Sequence, residues 1–133
     1  MPSLTVVIPF RNSAGTLEQV VVPVLDELRE GDRVLPVDDR SDDSSVEVLR
    51  RLGLPAVESE RRPGAAGARN MGGFAARTEW ILFLDSDAVP PVGWREALET
   101  AMAGGDAVQA VYGPSAPGDG AATFYKNYYY HHT

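Results

Sequence analysis

The chain has 133 residues, 44% of them hydrophobic, which fits one compact domain with a buried core. Its formal charge of -7 gives no electrostatic ground for a DNA or RNA partner, and the absence of cysteine removes disulfide scaffolds, zinc–thiolate sites and thiol nucleophiles. An acidic chain can still take a phosphorylated ligand if it captures a cation, because the cation inverts the local field.

Leu4 to Pro9 is β-branched and apolar on both faces, as expected of a strand buried between two helical layers. It is too short and lacks the basic start of a signal peptide, and no run approaches the roughly 18 apolar residues of a membrane span. The chain is therefore expected to be soluble and cytoplasmic, with membrane association only through regions of a full-length form that lie outside it. Leu17, Val20, Val21, Val24, Leu25 and Leu28 fall at helical spacing, with Ser13 or Thr16 as cap and Gly31 as terminator. Pro23 inside that pattern should kink or split the helix.

Arg33 to Val37 reads as a second strand running into the acidic cluster Asp38, Asp39, Asp42 and Asp43. Ser44 or Ser45 then starts a helix that turns Val46, Leu49 and Leu52 inward and stops at Gly53. Pro55 to Glu58 is a short third strand, and Gly64 to Arg77 is a helix favoured by its alanines. Trp80 to Leu84 is a fourth strand ending at Asp85, Trp94 to Met102 a helix after Pro90-Pro91, and Ala107 to Tyr112 a last strand. This alternation predicts an α/β fold, a mostly parallel sheet with helices on both faces. Residues 1–112 would form it, and residues 113–133 a loop and aromatic tail.

Ligands in such sheets bind outside the carboxyl ends of the strands. Those ends carry Pro9, Phe10, Arg11 and Asn12, then Asp38 and Asp39, then Asp85, Ser86 and Asp87. Two carboxylates one residue apart at a strand tip suit Mg²⁺ or Mn²⁺, which take a few carboxylates and complete an octahedron with phosphate oxygens and water. A plain turn in which the aspartates face water fits Asp85 and Asp87 about as well. Asp39 could accept a hydrogen bond from a base N–H or a ribose hydroxyl, or the Asp38–Ser41 segment could be a turn bonded to its own backbone. Gly64 to Asn70, with Gly67 and then Arg69 one turn into the helix, suits a diphosphate; tight helix-to-sheet packing explains the small residues too. The glycines match neither the dinucleotide spacing nor a P-loop. His131 and His132 read as a frayed terminus.

In order and spacing, "TVVIPFRN", "VLPVDDRSDDSS" and "GAAGARNMGGFAARTEWILFLDSDAVPPVGW" resemble family 2 glycosyltransferases of the GT-A fold, over about Leu4 to Tyr112. The resemblance implies a Rossmann-like nucleotide-sugar-binding half in which Pro9, Phe10, Arg11 and Asn12 line the nucleoside pocket and Asp39 contacts the base. Gly67 and Arg69 would approach the base and diphosphate. Asp85 and Ser86 would hold the donor, and Asp87, with Asp85, the divalent cation, Mn²⁺ or Mg²⁺. It further implies transfer from a nucleoside-diphosphate sugar, a UDP-sugar first, to a saccharide or lipid-linked acceptor with inversion. The base that deprotonates the acceptor would lie in a second half, outside this chain. On that reading the chain looks truncated, "FYKNYYYHHT" resembles the start of an acceptor region, and the isolated chain would bind donor without turnover. The rival enzyme is a haloacid-dehalogenase-like phosphatase, since "ILFLDSDAV" also fits its motif, with Asp85 as nucleophile and Asp87 as acid.

Overall fold

The structure is a computed structural model that describes residues 3–59, 64–103, 107–108 and 122–126. Its elements are β1 (Leu4–Phe10), α1 (Leu17–Glu27), β2 (Arg33–Asp38), α2 (Ser45–Arg51), β3 (Val57–Glu58), α3 (Ala65–Ala75), β4 (Trp80–Leu84), α4 (Trp94–Ala103), β5 (Ala107–Val108) and β6 (Ala122–Lys126). One sheet holds every strand, in the order β3-β2-β1-β4-β6-β5. The first four are mutually parallel, and β6 runs antiparallel to β4 and β5.

The two-sided apolarity of β1 has a direct structural cause. Leu4, Val6, Ile8 and Phe10 point to a core shared with α1, α2 and α4, where Leu17, Val20, Val24, Leu49, Trp94 and Leu98 meet them. Val7, with Val37, Ile81 and Phe83, points the other way against Ala68 of α3 and Ala76 just after it. The strand period of two thus feeds two helical layers at once, and the α/β class follows.

The small residues of α3 are a packing requirement. A Cβ built on Gly72 would overlap the Val7 side chain and lie 3.3 Å from Val37 Cγ2, so only glycine lets the helix lie this close to β1 and β2. Gly64, just before the helix, has φ +115°, which a side chain would strain.

Two expectations are revised. Pro23 neither splits nor ends α1, which runs from Leu17 to Glu27 around it. The Pro23 carbonyl accepts the Trp94 indole N–H at 3.0 Å, tying this turn of α1 to the start of α4. The strand expected at Ala107 to Tyr112 is also not the last, since β6 follows it in the chain and joins the same sheet. β5 is described only over Ala107–Val108, and it pairs with β6, which comes from the expected loop and tail and lies between it and β4. Tyr128, Tyr129, Tyr130, His131 and His132 fall outside the described residues. Among the described residues no helix is long and apolar enough to cross a membrane.

Candidate active site

The chain steps from β1 to β2 to β3 in one direction across the sheet and then places β4 on the other side of β1. The strand order thus changes direction at β1, and at such a switch point ligands bind beyond the carboxyl ends of the strands. A cleft of about 780 Å³ occupies that position.

Its walls are three strand tips. From β1 come Pro9, Phe10, Arg11 and Asn12, followed by Ser13, Gly15 and Thr16 at the approach to α1. From β2 comes Asp39, from β4 come Asp85, Ser86 and Asp87, and from the start of α3 come Gly64, just before the helix, and Ala68 within it. Of the ten site residues expected from the sequence, Pro9, Phe10, Arg11, Asn12, Asp39, Asp85, Ser86 and Asp87 border one cavity, whereas Gly67 and Arg69 do not line it. The Arg69 guanidinium lies over the Phe83 ring, 4.7 Å from its centroid. Phe10 borders the cleft but is 3% exposed, its ring belonging to the core under α1.

Hydrogen bonds lock the tips together. Asn12 and Arg40 both take left-handed backbone, with φ 50° and 60°, which turns the chain sharply as it leaves β1 and β2. The two turns then bond reciprocally: Asn12 N–H donates to Ser41 Oγ at 2.9 Å, and Asp42 N–H donates to Asn12 Oδ1 at 2.8 Å. Asp38 Oδ1 accepts Ser41 N–H at 2.9 Å within the second turn. Asp43 accepts Ala14 N–H on one oxygen and the Ser45 N–H and hydroxyl on the other. The Ser45 hydroxyl, foremost, holds the Asp43 carboxyl below its ordinary value of 3.8; burial opposes and the backbone N–H donors assist.

Asp39 is 4% exposed and already engaged. Its Oδ2 accepts Gly64 N–H at 2.8 Å and its Oδ1 meets Arg40 Nη1 at 3.2 Å. A carboxylate offers about four lone-pair sites, so acceptor capacity remains toward the cleft. Asp85 is exposed and Asp87 half-buried, in a turn closed by Ala88 N–H donating to the Asp85 carbonyl at 3.0 Å.

Among the described residues three carboxylates and one guanidinium, Arg11, line the cleft. A diphosphate entering alone would meet net negative charge; with a divalent cation on Asp85 and Asp87 the sign reverses. Among the described residues no group of three or more His, Asp or Glu could hold a metal. Two carboxylates fit a hard cation that brings phosphate and water as its other ligands, and not a preassembled protein cage. Ser13, Gly15 and Thr16 were missed as cleft residues in the sequence, whereas Gly64 and Ala68 belong to the Gly64–Asn70 segment read as suited to a diphosphate. A left-handed turn at Asn12 folding the next four residues over the rim is the signal that would have found the first three.

Residues 5–132 match the family described as Glycosyl transferase family 2. The chain is 38% identical over 98 residues to a pre-mycofactocin glycosyltransferase of Mycobacterium tuberculosis, covering 71% of this chain and 20% of that protein. It is 36% identical over 109 residues to the succinoglycan biosynthesis protein ExoO of Rhizobium meliloti, covering 79% and 31%. A mannosyltransferase from Pyrobaculum calidifontis, solved with GDP-Man and Mn²⁺, superposes with a TM-score of 0.71 at 26% identity, covering 92% of this chain and 44% of that one. Glucosyl-3-phosphoglycerate synthase of Mycobacterium tuberculosis, solved with Mn²⁺, UDP-Glc and phosphoglyceric acid, shares the fold with a TM-score of 0.73 at 23% identity, covering 87% and 45%. The chain thus spans less than half the length of each of these four proteins. The phosphatase reading of Asp85 and Asp87 finds no support among these likenesses and is set aside. With its fold, its strand-tip cleft and a family match over residues 5–132, the chain belongs to glycosyl transferase family 2 and carries the GT-A fold.

Proposed function

We propose that the cleft holds a nucleoside-diphosphate sugar through a divalent cation, Mn²⁺ or Mg²⁺, and serves transfer of the sugar to a saccharide or lipid-linked acceptor with inversion. The observation that carries this is the meeting of Asp39, Asp85 and Asp87, from two strands on either side of β1, in one cavity. Asp39, held in place by Gly64 and Arg40, has acceptor sites left for a base N–H. Asp85 and Asp87 hold the cation, which when bound offsets the charge that develops on the departing diphosphate. The Gly64 N-terminus of α3 borders the same space, so backbone can approach the ligand without a side chain between them. A uridine diphosphate is the first candidate, with guanosine and thymidine diphosphates as alternatives; solved relatives hold UDP-Glc in one case and GDP-Man in another.

Among the described residues the cleft's carboxylates are these three, all given to the donor. Deprotonation of the acceptor therefore falls to a group outside these three, and since the chain spans less than half of its solved relatives, it should bind donor while transferring sugar slowly or not at all. Incubating purified chain with radiolabelled donor and acceptor tests this, and rapid transfer would overturn it.

The donor reading is tested by melting the chain with UDP, GDP and TDP, each with and without Mn²⁺. Ligand at a hundredfold its Kd stabilises the native state by about 2.7 kcal/mol. A rise of several degrees for one base, larger with the metal than without it, is expected. No rise with any nucleotide in Mn²⁺ would remove the proposal.

A further inference from the structure

At the crevice between β1 and β4 a side-chain hydrogen bond spans the gap. Ser13 Oγ lies 2.8 Å from Ser86 Oγ, and both residues border the cleft. Ser86 stands between Asp85 and Asp87, so whatever fixes Ser86 also restrains the turn that carries both carboxylates.

Ser13 is itself held on two sides. Its N–H donates to Ser45 Oγ at 2.7 Å, and Ser45 is fully buried and bonded to Asp43. Its hydroxyl donates to the Arg11 carbonyl at 3.2 Å. A hydroxyl has one proton. The arrangement that satisfies both of its contacts has Ser13 donating to Arg11 and Ser86 donating to Ser13. The Ser86 proton is then turned away from the ligand, and its lone pairs face the cleft as acceptors. Such an oxygen suits a ligand hydroxyl or a water on the cation and is poorly suited to a phosphate oxygen, which needs a donor.

We infer that Ser13 is a positioning residue of the cation site: it fixes the rotamer and proton direction of Ser86 and thereby the spacing of Asp85 and Asp87. The inference rests on the donor reading above. The line of bonds Asp43, Ser45, Ser13, Ser86 joins the tips of β2, β1 and β4, so the cation carboxylates are braced from the far side of the cleft.

The test measures UDP, GDP and TDP affinity of the 133-residue chain in Mn²⁺ and in EDTA, for wild type, Ser13→Ala and Ser13→Thr, with unliganded melting as a check on folding. Losing one neutral hydrogen bond to a positioned group should weaken binding in Mn²⁺ about threefold to tenfold in Ser13→Ala. Affinity in EDTA should stay within about twofold of wild type, and Ser13→Thr, which keeps the hydroxyl, should recover most of the loss. The Mn²⁺ spectrum of the bound complex should broaden in Ser13→Ala as the carboxylate geometry loosens. Equal affinity of Ser13→Ala and wild type in Mn²⁺ overturns the inference and leaves the donor reading intact. Equal losses with and without metal also overturn it, since a merely structural role would give them. Wild type that binds none of the three nucleotides with Mn²⁺ overturns both.

Discussion

The Asp39 carboxylate at the tip of β2 accepts the backbone N–H of Gly64 at 2.8 Å, so one buried side chain anchors the start of α3 to the sheet. Replacing Asp39 with Ala leaves that N–H without its charged acceptor, a loss of about 1.5–3 kcal/mol. Asp39→Asn keeps an acceptor oxygen and should fall between Ala and wild type. Urea midpoints check the order; an alanine variant within about 0.5 kcal/mol of wild type would show that the bond carries little.

Gly72→Ala sets two effects against each other. Alanine in place of glycine favours a helix by about 1 kcal/mol. The added methyl, however, meets Val7, a fully buried β-branched residue with no room to turn aside. Overpacking of this kind costs about 1–3 kcal/mol, so the net should be destabilisation and a displaced α3. Chemical denaturation measures it, and a more stable variant would mean the helix can move back freely.

The buried Arg95–Asp32 ion pair, 1% and 0% exposed at its side chains, should respond asymmetrically. Asp32 also accepts Leu4 N–H at 3.1 Å and Arg29 N–H at 3.0 Å. Asp32→Ala removes all three contacts and should cost about 3–5 kcal/mol. Arg95→Met leaves Asp32 two backbone donors and should cost less. Equal or reversed losses in denaturant would contradict the accounting.

Asp87→Ala should abolish the Mn²⁺-dependent part of nucleotide binding, read as the heat of titration with and without EDTA. Asp85→Ala should weaken it as well. A variant at Asp87 that keeps its full metal dependence would move the cation elsewhere in the cleft.

The Asp43 carboxyl should titrate below 3.8, with the Ser45 hydroxyl as the main cause. Because the native value is depressed, its contribution to stability is present above the unfolded value and lost as pH falls through the native one. Ser45→Ala should return the titration toward the ordinary range, as carboxyl NMR shifts would report. An unchanged midpoint would point to another donor.

The strand tips were legible because physics there leaves a sharp mark: an apolar run ended abruptly by Asp85 or Asp38. The rotation of α3 was not. Alanine and glycine give no clear apolar stripe, and successive residues turn by about 100°. A one-residue difference in phase decides which of Ala68 and Arg69 faces the cleft; the structure gives it to Ala68 and lays Arg69 on Phe83. The place of β6 was equally hidden, since a strand inserted between β4 and β5 from later in the chain leaves no local pattern that names its neighbours.

The mutual bonding of the Asn12 and Ser41 turns bears on how any ligand is received. Both loops are set in their bent shape during folding, so a guest meets a rim already arranged and little ordering entropy is charged to its binding. Affinity at this rim should therefore be governed by chemical complementarity more than by loop closure, and loosening Asn12 would shift that balance without touching the guest.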